Sequence, residues 1–162
     1  MNAASINLKV ADETWIAAAM LHRGHPDRSD FSVEEIVEQA RTENIFGHLR
    51  PGVYVHANTH CVANRAPNPG AYRMLYETAP GRRRLFREGD EAHPKRRGKV
   101  TPERDEIPEP YHYLLDWYET EYAPAVPKNR FAALYEAFGS GRDLWKDEDP
   151  DAYVRRLREG WE

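Results

Sequence analysis

The chain has 162 residues, of which 40% are apolar and 31% are charged, which is typical of one soluble globular domain with or without a short appended segment. The apolar run 15–21 is too short to span a bilayer or to form the core of a signal peptide. The single cysteine, Cys61, excludes an intramolecular disulfide. We therefore expect a cytoplasmic protein that does not associate with a membrane.

Charge is distributed unevenly along the chain, although the net charge is only −4. Residues 45–100 contain eleven Lys and Arg against four Asp and Glu, whereas the segments on either side are acidic. Because screening acts over roughly 8–10 Å at physiological salt, a chain of negative net charge can still bind a polyanion through one basic surface. The alternative is that these basic side chains are simply solvated.

Two helices are predicted before the basic segment. The run 14–23 is rich in Ala, Leu and Met, and four of its residues share one helical face: Trp15, Ala18, Ala19 and His22. Ser32 and Glu35 form a capping-box pattern that predicts the start of a second helix, with Phe31 placed as a hydrophobic staple. This second helix is expected to end near residues 42–45.

A third, shorter helix is predicted near residues 52–64, where VYVHANTHCVAN follows Pro51. Proline is tolerated in a first helical turn because no intrahelical donor is needed there. Val53 and Ala57 would then face inward. The β-branched valines favour a strand as the alternative, and RAPNPG, which follows, is a loop because it carries two prolines and a glycine.

A β-hairpin is predicted near residues 72–87. Tyr72, Met74 and Tyr76 alternate with the residues between them, Leu85-Phe86 lies on the return side, and Thr78-Ala79-Pro80-Gly81 supplies the turn. Three arginines, 82–84, follow the tip directly. Three helices and a hairpin in this order predict an α+β fold, a winged helix-turn-helix domain over residues 10–90, with the hairpin as its wing.

The remainder is predicted as a connector and a helical extension. Residues 91–109 contain almost no large apolar side chains, so they are expected to be exposed. Their cluster Lys95-Arg96-Arg97-Gly98-Lys99 either extends the basic surface or forms a solvated loop. Residues 110–162 are predicted to add three helices: the first follows Pro110 over YHYLLDWYETEYA, the second lies at 128–138 and the last at 147–162. Five side chains of the first are expected to pack on the domain: Tyr111, Leu114, Leu115, Tyr118 and Tyr122.

The residues expected to contact DNA lie on the third helix and the wing. The early residues of a recognition helix reach base edges, and flanking basic groups hold phosphates. Asn58 could pair with adenine through both ends of its amide, and Thr59 could meet a thymine methyl. The wing arginines could enter a minor groove. The full predicted set is Arg50, Tyr54, Asn58, Thr59, Arg65, Arg82, Arg83 and Arg84.

Catalytic and metal chemistry find little support in the sequence. His56, His60 and Cys61 are close together, but a zinc site needs a third and usually a fourth ligand, and no pattern supplies one. A cysteine nucleophile needs a base and an oxyanion pocket, which nothing marks. GSG at 139–141 lacks the strand and the lysine of a phosphate-binding loop. We therefore expect no enzyme activity, no cofactor and no metal.

Two stretches resemble known proteins. HCVANRAPNPG followed by YRMLYE is similar to the recognition-helix-to-wing segment of a group of bacterial winged-helix modules, some of them associated with restriction systems. That resemblance covers roughly residues 10–90 and implies a winged helix-turn-helix. GSGRDLWKDEDPDAYVRRLREGW is similar to the C-terminal tails of small bacterial proteins that include antitoxin-type regulators, which implies either a protein partner or shared ancestry.

Together these patterns predict a protein that binds double-stranded DNA, as a transcriptional regulator or in association with a defence system. Dimerisation through the C-terminal helices is expected because most helix-turn-helix regulators read paired half-sites. The rival prediction is a protein-interaction module on the same fold, with the C-terminal helices as the partner surface.

Overall fold

Helices and a small sheet make up the part of the chain that the structure, a computed structural model, describes, residues 7–125. The elements in order are α1 (Val10–Gly24), β1 (Phe31–Ser32), α2 (Val33–Glu43), α3 (Gly52–Val55), β2 (Leu75–Ala79), β3 (Arg82–Leu85) and α4 (His112–Trp117). α3 continues as a wide π-helical turn, His56–His60, and α4 as another, Tyr118–Tyr122. We call residues 52–60 the third helix and 112–122 the fourth. The helices predicted at 128–138 and 147–162 lie outside the described residues.

The first helix is the centre of the core. Its side chains from Ala11 to Ala19 are all buried, and Trp15 packs edge-on against Tyr118 of the fourth helix with ring centroids 5.8 Å apart. Alanine-rich sequence allows neighbouring elements to approach from every side. No helix among the described residues is long and apolar enough to cross a membrane.

The second helix begins and ends as predicted. The Ser32 side chain accepts a hydrogen bond from the Glu35 backbone N–H at 3.1 Å, and the Glu35 carboxylate accepts one from the Ser32 N–H at 2.8 Å. This reciprocal pair is the capping box. The helix stops at Asn44, whose φ of 50° is left-handed and accommodates the change of direction.

The sheet is antiparallel, with the strand order β1-β3-β2. The predicted hairpin is confirmed, and Gly81 at its tip has φ 74°, a conformation that favours glycine. β2 begins at residue 75 instead of 72, because the backbone of Ala71 and Arg73 bonds to residues 98 and 99 and not to β3. Gly98 donates its N–H to the carbonyl of Ala71 at 2.8 Å, and Arg73 donates to the carbonyl of Lys99 at 3.0 Å.

The segment that starts at residue 52 forms a helix, as predicted, and not the alternative strand. The helix ends at His60, whereas the sequence predicts an end near residue 64. Past that point the chain turns toward the sheet, where Val62 forms a parallel bridge with Leu75. The Ala63 N–H donates to the Leu75 carbonyl at 2.7 Å. Bonding to the hairpin therefore ends the helix four residues early.

The fourth helix packs on the domain, as the aromatic stripe predicted, and it contacts the hairpin there. Leu114, Leu115, Tyr118 and Tyr122 are buried. The Tyr122 hydroxyl donates to the Leu85 carbonyl at 3.1 Å, and the Tyr118 hydroxyl donates to the Phe86 carbonyl. These bonds fix the helix on the strand through polar as well as apolar contacts.

The segment 91–109 is exposed over much of its length, as its composition predicts, but a few of its residues are buried. Arg96 is only 3% exposed and Ile107 is buried. Lys99 lies 2.8 Å from a carboxylate oxygen of the buried Asp12, a carboxyl whose pKa is raised chiefly by burial. The segment packs by placing two of its cations, Arg96 and Lys99, on internal carbonyl and carboxylate oxygens, which a measure of apolar content does not register.

Candidate nucleic-acid interface

The third helix presents one face to solvent and packs with the other. Val53 and Ala57 are fully buried, as predicted, whereas Tyr54 is 49% exposed and Val55 is also exposed. The start of the helix is fixed by Gly52, since a Cβ there would lie 3.1 Å from a methyl of Val10. A helix held this closely against α1 keeps its outer face available.

Asn58 and Thr59 are partly exposed, and they differ in whether the side chain already has a hydrogen-bond partner. The Asn58 side-chain amide has no hydrogen-bond partner among the described residues, so both its donor and its acceptor remain for a ligand. The Thr59 hydroxyl instead donates to the carbonyl of Val55, one turn back, at 2.9 Å. Of the two, Asn58 is the better placed to read a base edge.

Two buried arginines close the carboxyl end of the third helix. Arg83 donates from Nε to the carbonyl of Ala57 and from a terminal nitrogen to that of Asn58, both at 3.1 Å. Arg96 donates to the carbonyls of Thr59 and His60, both at 2.8 Å. The last four carbonyls of a helix have no intrahelical partner, and a cation there also meets the negative end of the helix dipole. The two guanidinium groups therefore satisfy this end completely.

Arg83 is thus a core residue, and its predicted contact with DNA is wrong. Its side chain is 0% exposed and lies 2.9 Å from a carboxylate oxygen of Glu77, and burial lowers its pKa. The alternation of side chains along a strand is the sequence pattern that could have identified Arg83 as buried. Arg83 shares the inner face of β3 with Leu85, whereas Arg82 and Arg84 lie on the other face.

The other two wing arginines are neutralised by neighbouring carboxylates. Arg82 bonds Asp30 from Nε at 3.0 Å. Arg84 donates two hydrogen bonds, of 2.7 and 2.8 Å, to the Asp90 carboxylate. Its guanidinium carbon lies 4.4 Å from the centre of the Tyr76 ring. These side chains are partly exposed, but the adjacent carboxylates reduce the positive potential that they present.

The two arginines predicted to flank the helix also have partners. Arg50 donates to Glu13 at 2.7 Å and to the carbonyl of Leu8 at 2.8 Å, and it lies over the Phe46 ring. It therefore fastens the start of the third helix to α1. Arg65 lies 2.6 Å from a carboxylate oxygen of Glu77, yet 40% of its side chain remains exposed.

Lys95 and Arg97 are two exposed cations that the predicted set omitted. Both are exposed, and neither forms an ion pair with another described residue. They flank Arg96, which binds the carbonyls at the end of the third helix, so they are held beside that end. The basic cluster at 95–99 was visible in the sequence, but its position beside the third helix depends on the burial of Arg96.

The histidine pair of the third helix does not form part of a metal cluster in the described part of the chain. His56 and His60 stack edge to face with ring centroids 4.8 Å apart, and burial lowers the pKa of His56. Cys61 is buried, which raises its pKa. Within residues 7–125 no three potential ligands come together in a way that could hold a metal ion.

Comparisons of the chain with protein-family models, curated proteins and solved structures gave no match. The resemblance to bacterial winged-helix modules therefore stays a prediction, and the proposals below rest on the geometry of the chain itself.

Proposed function

We propose that this chain is a winged helix-turn-helix protein that binds double-stranded DNA, with the third helix in the major groove. The observation that carries the proposal is the order of elements. Two helices, the third helix and the β2-β3 hairpin follow one another, and the short strand β1 pairs with β3 to complete the sheet. In helix-turn-helix domains the recognition helix offers its outer face to base edges while other groups hold the backbone.

The proposed interface differs from the one expected from the sequence. Tyr54 and Asn58 are the candidates for base contact, because they face outward and the Asn58 side-chain amide has no partner within residues 7–125. Lys95 and Arg97 are the phosphate contacts, with the half-exposed Arg65 between the helix and the hairpin as a third. Three such contacts predict a slope of log K against log salt of about −2 to −3. The ion-paired Arg82 and Arg84 contribute less.

The test is a fluorescence-anisotropy titration with random-sequence duplex DNA at several salt concentrations. The variant Lys95→Ala/Arg97→Ala is expected to weaken binding and to reduce the salt slope by about two, since two phosphate contacts are lost. The matched control is Arg41→Ala/Arg104→Ala, which removes the same charge from two exposed arginines elsewhere. Equal losses in the two double variants would show that only net charge matters, and would refute the proposed interface.

Asn58→Ala separates base reading from backbone binding. Because the amide has no partner within the described residues, its removal is expected to leave stability unchanged. It should weaken binding to a selected site by about tenfold while leaving random-sequence binding intact. A variant that loses both affinities equally would place Asn58 outside the base-reading surface.

The second candidate is a protein-interaction module. Of the four large apolar side chains that are exposed in the described residues, three lie at 46–55, namely Phe46, Tyr54 and Val55. Apolar side chains of this kind are enriched at protein interfaces. If wild-type protein does not bind duplex DNA even at low salt, this surface becomes the leading site, and Tyr54→Ala/Val55→Ala would be the variant to compare in partner-binding experiments.

A further inference from the structure

A cavity of about 250 Å³ opens between the end of α1, the turn after it and the end of the fourth helix. None of the residues proposed above to contact DNA lines it. The side chains that decide its chemistry are His22, Arg28, Arg87, Trp117, Glu121 and Tyr122.

His22 supplies a hydrogen-bond donor with a fixed position. The ring is 4% exposed, and its Nε2 accepts the Leu85 backbone N–H at 3.3 Å. The neutral ring must then carry its proton on Nδ1, which bonds no other described residue. Burial, with the nearby arginines, lowers the pKa of His22 to about 3, so the ring stays neutral at physiological pH.

Arg87 is the cation of the cavity wall that has no carboxylate partner among the described residues. It forms no ion pair with a described residue, and its Nε is buried without a hydrogen-bond partner. Arg28, also in the wall, is already bound to Glu35 by two bonds of 2.7 and 3.0 Å. The Arg87 guanidinium carbon lies over the Tyr122 ring, 4.3 Å from its centre, and this contact holds the cation beside the ring.

Two aromatic side chains, Trp117 and Tyr122, also line the cavity. Trp117 and Tyr122 have ring centroids 5.3 Å apart and planes inclined by 41°. Glu121 also lines the cavity, and its carboxylate repels a bound anion. Because Glu121 is exposed, solvent screens this repulsion and an anion can still bind. The volume lies below the ~300–1,000 Å³ usual for drug-sized ligands, which limits an occupant to about one ring.

We propose that this cavity binds a small planar carboxylate with an aromatic body. The carboxylate meets the fork of Arg87 and the Nδ1–H of His22, and the ring packs against Trp117 and Tyr122. A planar guanidinium matches the two oxygens of a carboxylate, and a buried donor without a partner gains most from such a ligand. The proposal goes beyond DNA binding and does not depend on it.

The test uses the full chain with benzoate as the probe and benzamide as its uncharged counterpart, at neutral pH. Binding is followed by NMR through the indole N–H of Trp117 and the ring protons of His22. Benzoate is expected to shift both sets of signals and to bind at least about tenfold more tightly than benzamide, because benzamide lacks the charge that Arg87 recognises. Absence of benzoate binding at millimolar concentration, or equal binding of the two probes, would overturn the proposal.

Two variants locate the site. Arg87→Gln is expected to weaken benzoate binding by about tenfold or more. Its matched control is Arg23→Gln, another arginine stacked on a tyrosine, Tyr113, but outside the cavity. Equal effects of the two would contradict the assignment. Glu121→Gln should tighten benzoate binding by about two- to fivefold, since it removes a like charge, and this prediction holds even if Arg87→Gln fails to fold. Unchanged or weaker binding in Glu121→Gln would count against the site.

Discussion

Replacing Arg96 should destabilise the domain far more than replacing its neighbour. The Arg96 guanidinium donates to five carbonyls, those of Thr59, His60, Arg65, Ala66 and Tyr72, at 2.6 to 3.3 Å. Arg96 is buried, whereas Arg97 is exposed and bonds no described residue. The two therefore form a matched pair, alike in sequence and opposite in environment.

The size of the effect follows from the carbonyls that would be left without a partner. A buried polar group that loses its partner costs about 1–3 kcal/mol. Methionine fills much of the same space but donates nothing, and water can reach some of the five oxygens. We expect Arg96→Met to reduce the free energy of unfolding by about 3–5 kcal/mol, a large part of the ~5–15 kcal/mol typical of a domain. Arg97→Met should change it by less than about 0.5 kcal/mol.

The measurement is urea unfolding followed by tryptophan fluorescence, with the midpoint and the m-value determined separately. Arg96→Lys is expected to behave like Arg96→Met, because one ammonium cannot span carbonyls that lie on two sides of a planar fork. A loss smaller than about 1 kcal/mol for Arg96→Met, with an unchanged m-value, would show that the five bonds contribute little and that the reasoning is wrong.

Three further substitutions test other parts of the fold. His22 has its pKa lowered to about 3 in the folded chain, against 6.5 when unfolded. The unfolded state therefore binds the proton first, and stability should fall by about 1.4 kcal/mol per pH unit as pH drops below 6.5. His22→Gln should remove that part of the slope between pH 6 and 5, and a variant with the wild-type slope would contradict this. Ser32→Ala removes the capping side chain and should cost about 1 kcal/mol in thermal or urea unfolding; no measurable loss would count against the cap. Gly98→Ala would place its Cβ 2.5 Å from the Ala71 carbonyl oxygen, whereas Gly24→Ala meets nothing within 4 Å. Only the first should destabilise in urea unfolding, by about 2 kcal/mol or more.

The local elements were predictable because their causes are local. The capping box at Ser32 and the tight turn at Gly81 each depend on residues that are close in sequence, and both are present. The aromatic stripe of the fourth helix follows from spacing alone. Its partners, the carbonyls of Leu85 and Phe86, do not, because hydrogen bonds between distant segments leave no periodic pattern.

The arginines were harder to interpret because charge alone does not report burial. Arg82, Arg83 and Arg84 are identical in type and adjacent, yet one is in the core and two are ion-paired at the surface. The alternation of β3 could have distinguished Arg83. Nothing local distinguishes Arg96 from Arg97, since the carbonyls that bind Arg96 come from residues 24 to 37 positions earlier. The structure was needed to show that Arg96 is buried and Arg97 exposed.

The last four carbonyls of the third helix are bonded by two arginines, Arg83 and Arg96, that lie far from it in sequence. This arrangement constrains the order in which the chain can fold. A helix of nine residues is too short to persist alone in water. Its final carbonyls gain hydrogen-bond partners only when β3 and the segment around Arg96 have packed against it. The third helix should therefore become stable late in folding, after the hairpin has formed. Contacts over such separations slow folding. A fragment ending at residue 90, the boundary that the sequence predicts, would contain every residue of the helix but only one of the two arginines that complete it. The smallest unit that folds by itself should therefore extend past Arg96.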